Sequence, residues 1–497
     1  MQNLRTVIFV MLIISLMSVG LIYSGPISFS IAAVAKINAN LTTPSTATAS
    51  TTPKYIVLAW NDLGMHCYNP DYKNLCILPP YNTLWAQVIK VGNPPTLVSS
   101  GIEVFYNVPG NTYSTDKWPF QNKTNFWTYT PDLFNVNLPN NIGLAGNGLS
   151  GKMTLNGDHF EAKGIPITEY TDNSAKNPDA TKWSASCFQL ASVIVINSTT
   201  GKELTRTSPT IPASTELNCA SCHSDDGDAT TRYSITPTGN VDTNILAIHD
   251  YLNPTINPPL SQQTPVLCAN CHSDNALGMT GVTGVKSLSN AMHKHHFSAS
   301  IMDITLDTNG CYSCHPGEKT QCLRDVMSTT YKLSCVDCHG NLGTVSQNTD
   351  PWLSEPSCDN PNCHGSSYAL NNPLFRFSSG HGNIYCEGCH GSTHAISPSK
   401  VSNDDVRFVA LQGSVGPLKT CTVCHETTPE TAFKHQVGAV YQNDTAPLPP
   451  TSVSNNQNQS SPTSQLTSTV AIIATPILFS AALAFITVRK HKKQAML

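Results

Sequence analysis

Cys219-Ala220-Ser221-Cys222-His223 opens a stretch, residues 219–425, in which two cysteines followed at once by a histidine recur seven times. One copy, residues 358–364, has four residues between its cysteines instead of two. The six CxxCH copies are Cys219/Cys222/His223, Cys268/Cys271/His272, Cys311/Cys314/His315, Cys335/Cys338/His339, Cys386/Cys389/His390 and Cys421/Cys424/His425, and the CX4CH copy is Cys358/Cys363/His364. This repeat organises the chain.

The spacing of each copy suits the covalent attachment of c-type haem. Two thiols form thioethers with the vinyl groups on one porphyrin edge, and the adjacent histidine lies under the iron as its axial ligand. The CX4CH copy resembles the wider sites of small tetrahaem cytochromes. A single CxxC also suits a zinc site or a redox disulfide, but seven copies with the histidine in the same place favour seven covalently bound haems.

A second set of histidines decides whether any iron would stay open to a substrate. The candidate distal ligands are His249, His293, His295, His296, His381, His394 and His435. Seven candidates for seven irons make complete bis-histidine ligation possible. His295 and His296 are expected to serve different haems, and His394 a haem other than that of His390. Met279, Met292, Met302 and Met327 are alternative ligands, although methionine more often only packs.

Residues 208–437 are predicted to form a heptahaem domain with little secondary structure, because Pro, Gly, Asn and Ser interrupt every apolar run. Such a segment cannot build an ordinary layered core. The porphyrins are therefore expected to supply much of the buried surface, and short helical turns are expected after each motif. Folding should depend on haem, as it does on the metal in metal-coupled domains.

Residues 54–207 are predicted to form an all-β, sandwich-like domain without a long helix. Asn156-Gly157-Asp158 between two short apolar runs predicts a hairpin. Four cysteines outside the motifs, Cys67, Cys76, Cys187 and Cys322, allow three disulfide pairings, among which the sequence does not choose. His66, beside Cys67, is interpreted as a structural loop residue, since no cluster of metal ligands accompanies it.

Both ends of the chain are predicted to direct it to a membrane. Residues 1–35 have the pattern of a secretory signal peptide, with an uncleaved anchor as the alternative. Residues 469–488 are apolar enough for a single transmembrane helix, and the basic tail 489–497 would place the C-terminus in the cytoplasm. Linkers rich in Thr and Ser, or in Ser, Asn and Gln, occupy residues 36–53 and 438–468. The rest is then extracytoplasmic, where c-type haem is attached.

The net charge is only -4 and charged residues make up 12% of the chain, so no basic field indicates a nucleic-acid partner.

Two segments resemble multihaem c-type cytochromes of the extracellular electron-transfer type, from metal-reducing bacteria and anaerobic archaea. The first is residues 60–67, WNDLGMHC, followed by ILPPYN at 77–82. The second is CYSCHPG at 311–317, TQCLRD at 320–325, CVDCHG at 335–340 and PWLSEP at 351–356. The resemblance implies an electron carrier outside the membrane. The chain departs from the family pattern at its CX4CH site.

We therefore expect a membrane-anchored, cell-surface heptahaem cytochrome that conducts electrons and is a carrier rather than an enzyme. Its expected partners are other cytochromes or quinol-linked membrane donors, an extracellular acceptor, and the membrane through its C-terminal helix. The alternative is a reductase of nitrite, hydroxylamine or a sulfur oxyanion with one open haem. A third hypothesis makes the β-rich region a docking module.

Overall fold

A computed structural model describes residues 55–115, 123–174, 185–298, 308–317, 320–365 and 372–430. The predicted signal peptide, both linkers, residues 469–488, the basic tail, His435 and Met302 lie outside these ranges. All of the described residues belong to one compact unit.

The first sheet contains the longest strands. Strand β1 (Tyr55–Asn61) pairs antiparallel with β4 (Asn82–Lys90) along its whole length, and β4 pairs in turn with β9 (His159–Ile165). Strands β8 (Thr154–Asn156) and β5 (Thr96–Leu97) complete the sheet. The turn at 156–158 closes β8 onto β9, which confirms the predicted hairpin; Gly157 there has a φ of 62°.

Three smaller sheets complete the β structure. The second has the order β12 (Glu203–Thr207), β11 (Ser192–Asn197), β6 (Ile102–Asn107) and β7 (Ser150–Lys152). The third has the order β10 (Phe188–Leu190), β13 (Thr210–Ser214) and β2 (His66–Cys67). The fourth joins β14 (Val266–Leu267) to β3 (Leu75–Cys76) in parallel.

Strand β1 is buried on both faces. Val57 and Ala59 lie in the main core between the first two sheets. Ile56, Leu58 and Trp60, whose side chains alternate with these, lie in a second cluster that includes Val423, Cys424 and Tyr385 of the motif region. The first sheet is thus the boundary layer between the β-rich region and the motif region.

The helices are α1 (Phe126–Phe134), α2 (Ala220–His223), α3 (Asp228–Arg232), α4 (Val241–Leu252), α5 (Leu288–Ser298), α6 (Thr308–Tyr312), α7 (Val326–Thr329), α8 (Cys335–His339), α9 (Leu342–Gln347), α10 (Cys386–His390) and α11 (Ser402–Gln412). Short 3-10 turns cover Leu260–Gln262, Cys268–Asn270, Pro351–Leu353, Phe375–Phe377, His381–Asn383 and Cys421–Val423. Polar side chains fix several helix starts: Asn240 accepts from the Thr243 N–H, and Ser334 with Asp337 forms a capping box.

The fold class predicted from the sequence is wrong. Strands and helices are mixed, with the strands in four small sheets instead of a two-sheet sandwich. A nine-residue helix, α1, lies inside the predicted all-β region. The prediction treated residues 54–207 as a separate sandwich-like domain, whereas the outer face of the first sheet packs on the motif region.

Helices in the motif region also differ from the expectation. Helices α4, α5 and α11 have 11 or 12 residues and are longer than the short turns predicted. Short helices follow the first and fourth motifs, as predicted (α3 and α9), but α8 and α10 lie on the motifs themselves. Among the described residues, no helix is long and apolar enough to cross a membrane.

Candidate haem-binding cavity

The motif region and part of the β-rich region line one connected, partly open cavity of about 2600 Å³. Pockets for ordinary ligands measure roughly 300–1,000 Å³, so this cavity has room for several large ligands. All fourteen motif cysteines and all seven motif histidines line it. The six further histidine candidates that the structure describes line it as well. The sequence-predicted site residues are therefore brought together in one place.

A backbone hydrogen bond gives the CxxCH motifs a common local shape. The histidine N–H donates to the carbonyl of the first cysteine, as from His223 to Cys219 at 2.9 Å and from His272 to Cys268 at 3.0 Å. One helical turn therefore carries the two thiols and the imidazole. In the CX4CH copy the His364 N–H reaches back to the Cys358 carbonyl at 3.3 Å, which closes the wider loop in the same way.

Four histidine pairs face each other at a spacing that fits one metal atom between them. A metal–imidazole bond is about 2.0 Å and the ring centre lies roughly 1.1 Å further, so opposite ligands of one metal atom have ring centres about 6.2 Å apart. The observed separations are 6.3 Å for His223/His296, 6.1 Å for His315/His293, 6.2 Å for His339/His394 and 6.0 Å for His425/His381. Each pair joins a motif histidine to a predicted distal candidate.

A fifth motif histidine, His272, lies near a predicted distal candidate, His249. Burial lowers the pKa of His249, and His272 is the next largest cause. The remaining histidines are placed less specifically: His295 lies with its ring centre 5.5 Å from that of His296, and His364 and His390 lie on the cavity wall.

Backbone carbonyls hold several of these imidazoles in the orientation that a metal ligand needs. The Nδ1–H groups of His293 and His296 donate to the carbonyls one helical turn earlier, at 2.8 and 2.7 Å, and that of His272 donates to the Lys286 carbonyl at 2.9 Å. Nε2 is then the nitrogen that could bind a metal. His66 differs, because both of its nitrogens contact protein oxygens, the Tyr81 carbonyl and the Asp62 carboxylate.

Burial lowers the pKa of several histidines that line the cavity, so these imidazoles are neutral at pH 7. It lowers the pKa of His223 and His315 to about 4 and that of His394 to about 3, with neighbouring histidines adding to the effect. Burial also lowers the pKa of His293, His295, His339, His364 and His381. A neutral imidazole has a lone pair that can bind iron. Among the methionine candidates, Met292 and Met327 line the cavity, whereas Met279 packs in an apolar cluster beside Cys76.

Comparisons of this chain with protein-family models, curated proteins and solved structures gave no match.

Whether the residues fit haem is therefore judged from the geometry of this chain. Within the described ranges, no group of three or more His, Cys, Asp or Glu side chains is placed to hold a metal ion. A haem iron needs only two side chains from the protein, because the porphyrin supplies its other ligands. Paired imidazoles beside paired thiols satisfy that need, so the residues present fit c-type haem.

Contacts between motifs show that the first, second and third sites are neighbours. Asn218, just before the first motif, donates from its side chain to the Tyr312 carbonyl at 2.9 Å and from its backbone to the Cys314 carbonyl at 3.4 Å. Asn244 of α4 donates to the His223 carbonyl at 3.0 Å. Because α4 also carries His249, the distal candidate of the second site, the first site lies between the second and the third.

The other sites follow in chain order. His293 ties the third site to the fourth, since it faces His315 and also lowers the pKa of His339 after burial. Cys363 is the main neighbour that raises the pKa of Cys338, after burial. After burial, Cys386 is the main neighbour that raises the pKa of Cys358. Cys424 is likewise the main neighbour that raises the pKa of Cys389. Consecutive sites from the third to the seventh are thus neighbours in the structure.

Sequence reasoning missed the residues that position these sites. Asn218 joins the first motif to the third and Asn244 joins α4 to the first, but neither lies in a recognisable sequence pattern. Gln87 of β4 is buried and holds the loop before the sixth motif. Its side-chain amide donates to the Asn383 carbonyl at 3.1 Å and accepts from the Tyr385 N–H at 3.0 Å. Arg324 lies in the segment TQCLRD at 320–325, but its buried contacts are visible only in the structure.

Proposed function

We propose that this protein is a heptahaem c-type cytochrome that conducts electrons along a single file of closely spaced haems. One observation carries the proposal: every motif cysteine and histidine lines one cavity, with opposed histidines 6.0–6.3 Å apart at four of the seven sites. This arrangement supports axial ligation of an iron from both sides. A saturated iron offers no position to a substrate, which supports a carrier over a catalyst.

The chain's own residues would hold and orient the cofactor. The motif cysteines would hold each porphyrin covalently, and the motif histidines, with the opposed histidines at four sites, would bind its iron. A bound haem iron supplies one-electron exchange between its ferric and ferrous states. The apolar wall formed by β1 and the loops between motifs would exclude water and so influence the potential of each site.

The same proposal includes export from the cytoplasm. Covalent haem attachment on the far side of the cytoplasmic membrane and the N-terminal signal pattern support it. The partners are then other cytochromes or quinol-linked donors on one side and an extracellular electron acceptor on the other.

Intact mass spectrometry and low-temperature EPR of the full-length holo-protein test the proposal together. Seven added haems and exclusively low-spin ferric signals are expected. Fewer than seven haems would contradict the attachment assignments. A stoichiometric high-spin signal that shifts on addition of nitrite or hydroxylamine would replace the conduit with the reductase.

A further inference from the structure

Two of the four cysteines outside the motifs face the haem cavity. Cys67 in β2 and Cys322 both line it, and both are unlinked thiols in the structure. The remaining two have other surroundings. The Cys187 thiol contacts the Thr320 hydroxyl at 3.1 Å, and Cys76 lies in β3 near the motif residue Cys268.

Strand pairing brings the Cys67 backbone close to the segment that carries Cys322. Cys67 is the register partner of Ser214 in the parallel pair β2–β13, so their Cα atoms are about 5 Å apart. The Ser214 hydroxyl donates to the Thr320 hydroxyl at 2.9 Å. Cys322 follows two residues later.

A buried guanidinium joins the same two segments from the other side. Nη1 of Arg324 donates to the Gly64 carbonyl at 2.8 Å and to the Cys322 carbonyl at 3.1 Å. Gly64 lies three residues before Cys67. The electrostatics agree with this proximity, since the pKa of Cys67 is raised first by burial and next by Cys322.

We propose that Cys67 and Cys322 form a disulfide that joins the β-rich region to the motif region beside the fourth haem site. The proposal rests on the exported location in the proposed function, because disulfides persist in oxidising compartments. The two thiols lose two protons and two electrons in total. An oxidised dithiol partner takes these up through thiol–disulfide exchange and becomes reduced.

The bond would have two consequences within the cavity. It removes two thiols that could otherwise compete with the motif cysteines for porphyrin vinyl groups. It also fixes the sulfur of Cys322, which lies 3.8 Å from Nδ1 of His394. A fixed acceptor there would hold His394 with Nε2 towards His339, as outer contacts of metal ligands generally do.

Peptide mapping of the full-length holo-protein tests the proposal. The protein is denatured with an alkylating agent and no reductant, then digested. A linked pair of peptides containing Cys67 and Cys322 is expected, with Cys76 and Cys187 alkylated; prior reduction should make all four alkylated. Stoichiometric alkylation of Cys67 or Cys322 without reductant, or a link from either to Cys187 or Cys76, would overturn the proposal.

Two variants serve as matched controls. Cys67→Ser should make Cys322 alkylate without reductant, whereas Cys187→Ser should leave the link intact. Haem stoichiometry from the same samples reports separately on the proposed function. Seven haems without the link would refute only the disulfide, and the link with fewer haems would refute only the heptahaem assignment.

Discussion

Arg324 provides a quantitative test of how the β-rich and motif regions are joined. Its guanidinium forms a two-point ion pair with Asp404 of α11, with N–O distances of 2.7 and 3.1 Å. The side chains of the pair are only 1% and 4% exposed. Arg324 also lies over the Phe188 ring, 4.6 Å from its centroid, and donates to the Gly64 carbonyl. Arg324→Met keeps the aliphatic stem and removes the charge and every donor.

The expected loss is large because a buried partner is left behind. Removing one member of a buried pair costs about 3–5 kcal/mol, since the other charge stays in a poorly solvated place. In this protein the Ser399 hydroxyl still donates to Asp404 at 2.7 Å. We therefore expect the free energy of unfolding to fall by about 4 kcal/mol. The pair of Arg206 and Glu203 is the matched control, because its side chains are 43% and 41% exposed. Arg206→Met should cost at most about 1 kcal/mol.

Guanidinium unfolding of the holo-protein, followed by far-UV and Soret circular dichroism, measures both variants. A second check is the double variant Arg324→Met with Asp404→Leu, which removes the stranded carboxylate and should recover much of the lost stability. The reasoning fails if Arg324→Met shifts the midpoint no more than Arg206→Met does. It also fails if the double variant is less stable than the single one.

Three further predictions concern individual sites. His293→Ala should keep seven haems by mass but convert one to high-spin in EPR, because His315 would lose its opposed imidazole; an unchanged spectrum would reject the pair. Replacing both Cys358 and Cys363 by Ser should lower the intact mass by one haem, and seven retained haems would contradict the CX4CH assignment. Burial raises the pKa of Asp242 to about 6. The folded protein therefore holds a proton that the unfolded chain releases near pH 4, and the free energy of unfolding falls as pH rises from about 4 to 6. Asp242→Asn should flatten this dependence and add about 1–2 kcal/mol at pH 7 in guanidinium unfolding, after allowance for partial exposure.

The composition of the site was predictable from the sequence, whereas its pairing was not. The thiols and imidazoles of each motif are adjacent in the chain, so their spacing alone indicated the cofactor. The distal histidines come from distant segments: His394 faces His339, and His381 faces His425. A partial signal existed in α5, where His293 and His296 are three residues apart and share one helix face. His293 faces the motif histidine of the third site and His296 faces that of the first, and these two sites are neighbours.

The fold class failed for a different reason. Tyr55–Asn61 reads YIVLAWN, an almost continuous apolar run, and such a run indicates a strand buried on both faces. The prediction treated the β-rich region as complete in itself and left that second face without a partner. The partner is the motif region, whose own sequence shows no periodicity that would reveal it.

The second and the seventh motif sites both lie against the β-rich region. At the second site, β14 pairs with β3 immediately before Cys268. At the seventh, the Gly92 N–H donates to the Cys424 carbonyl and the Glu426 N–H donates to the Gly92 carbonyl, each at 3.3 Å. Strand β1 presents Trp60 to the sixth site. The ring centre of Trp60 is 5.8 Å from that of Tyr385, which directly precedes the sixth motif. A fragment consisting of the β-rich region alone would expose this apolar face to water. The β-rich region is therefore better understood as one wall of the cavity than as a separable docking module.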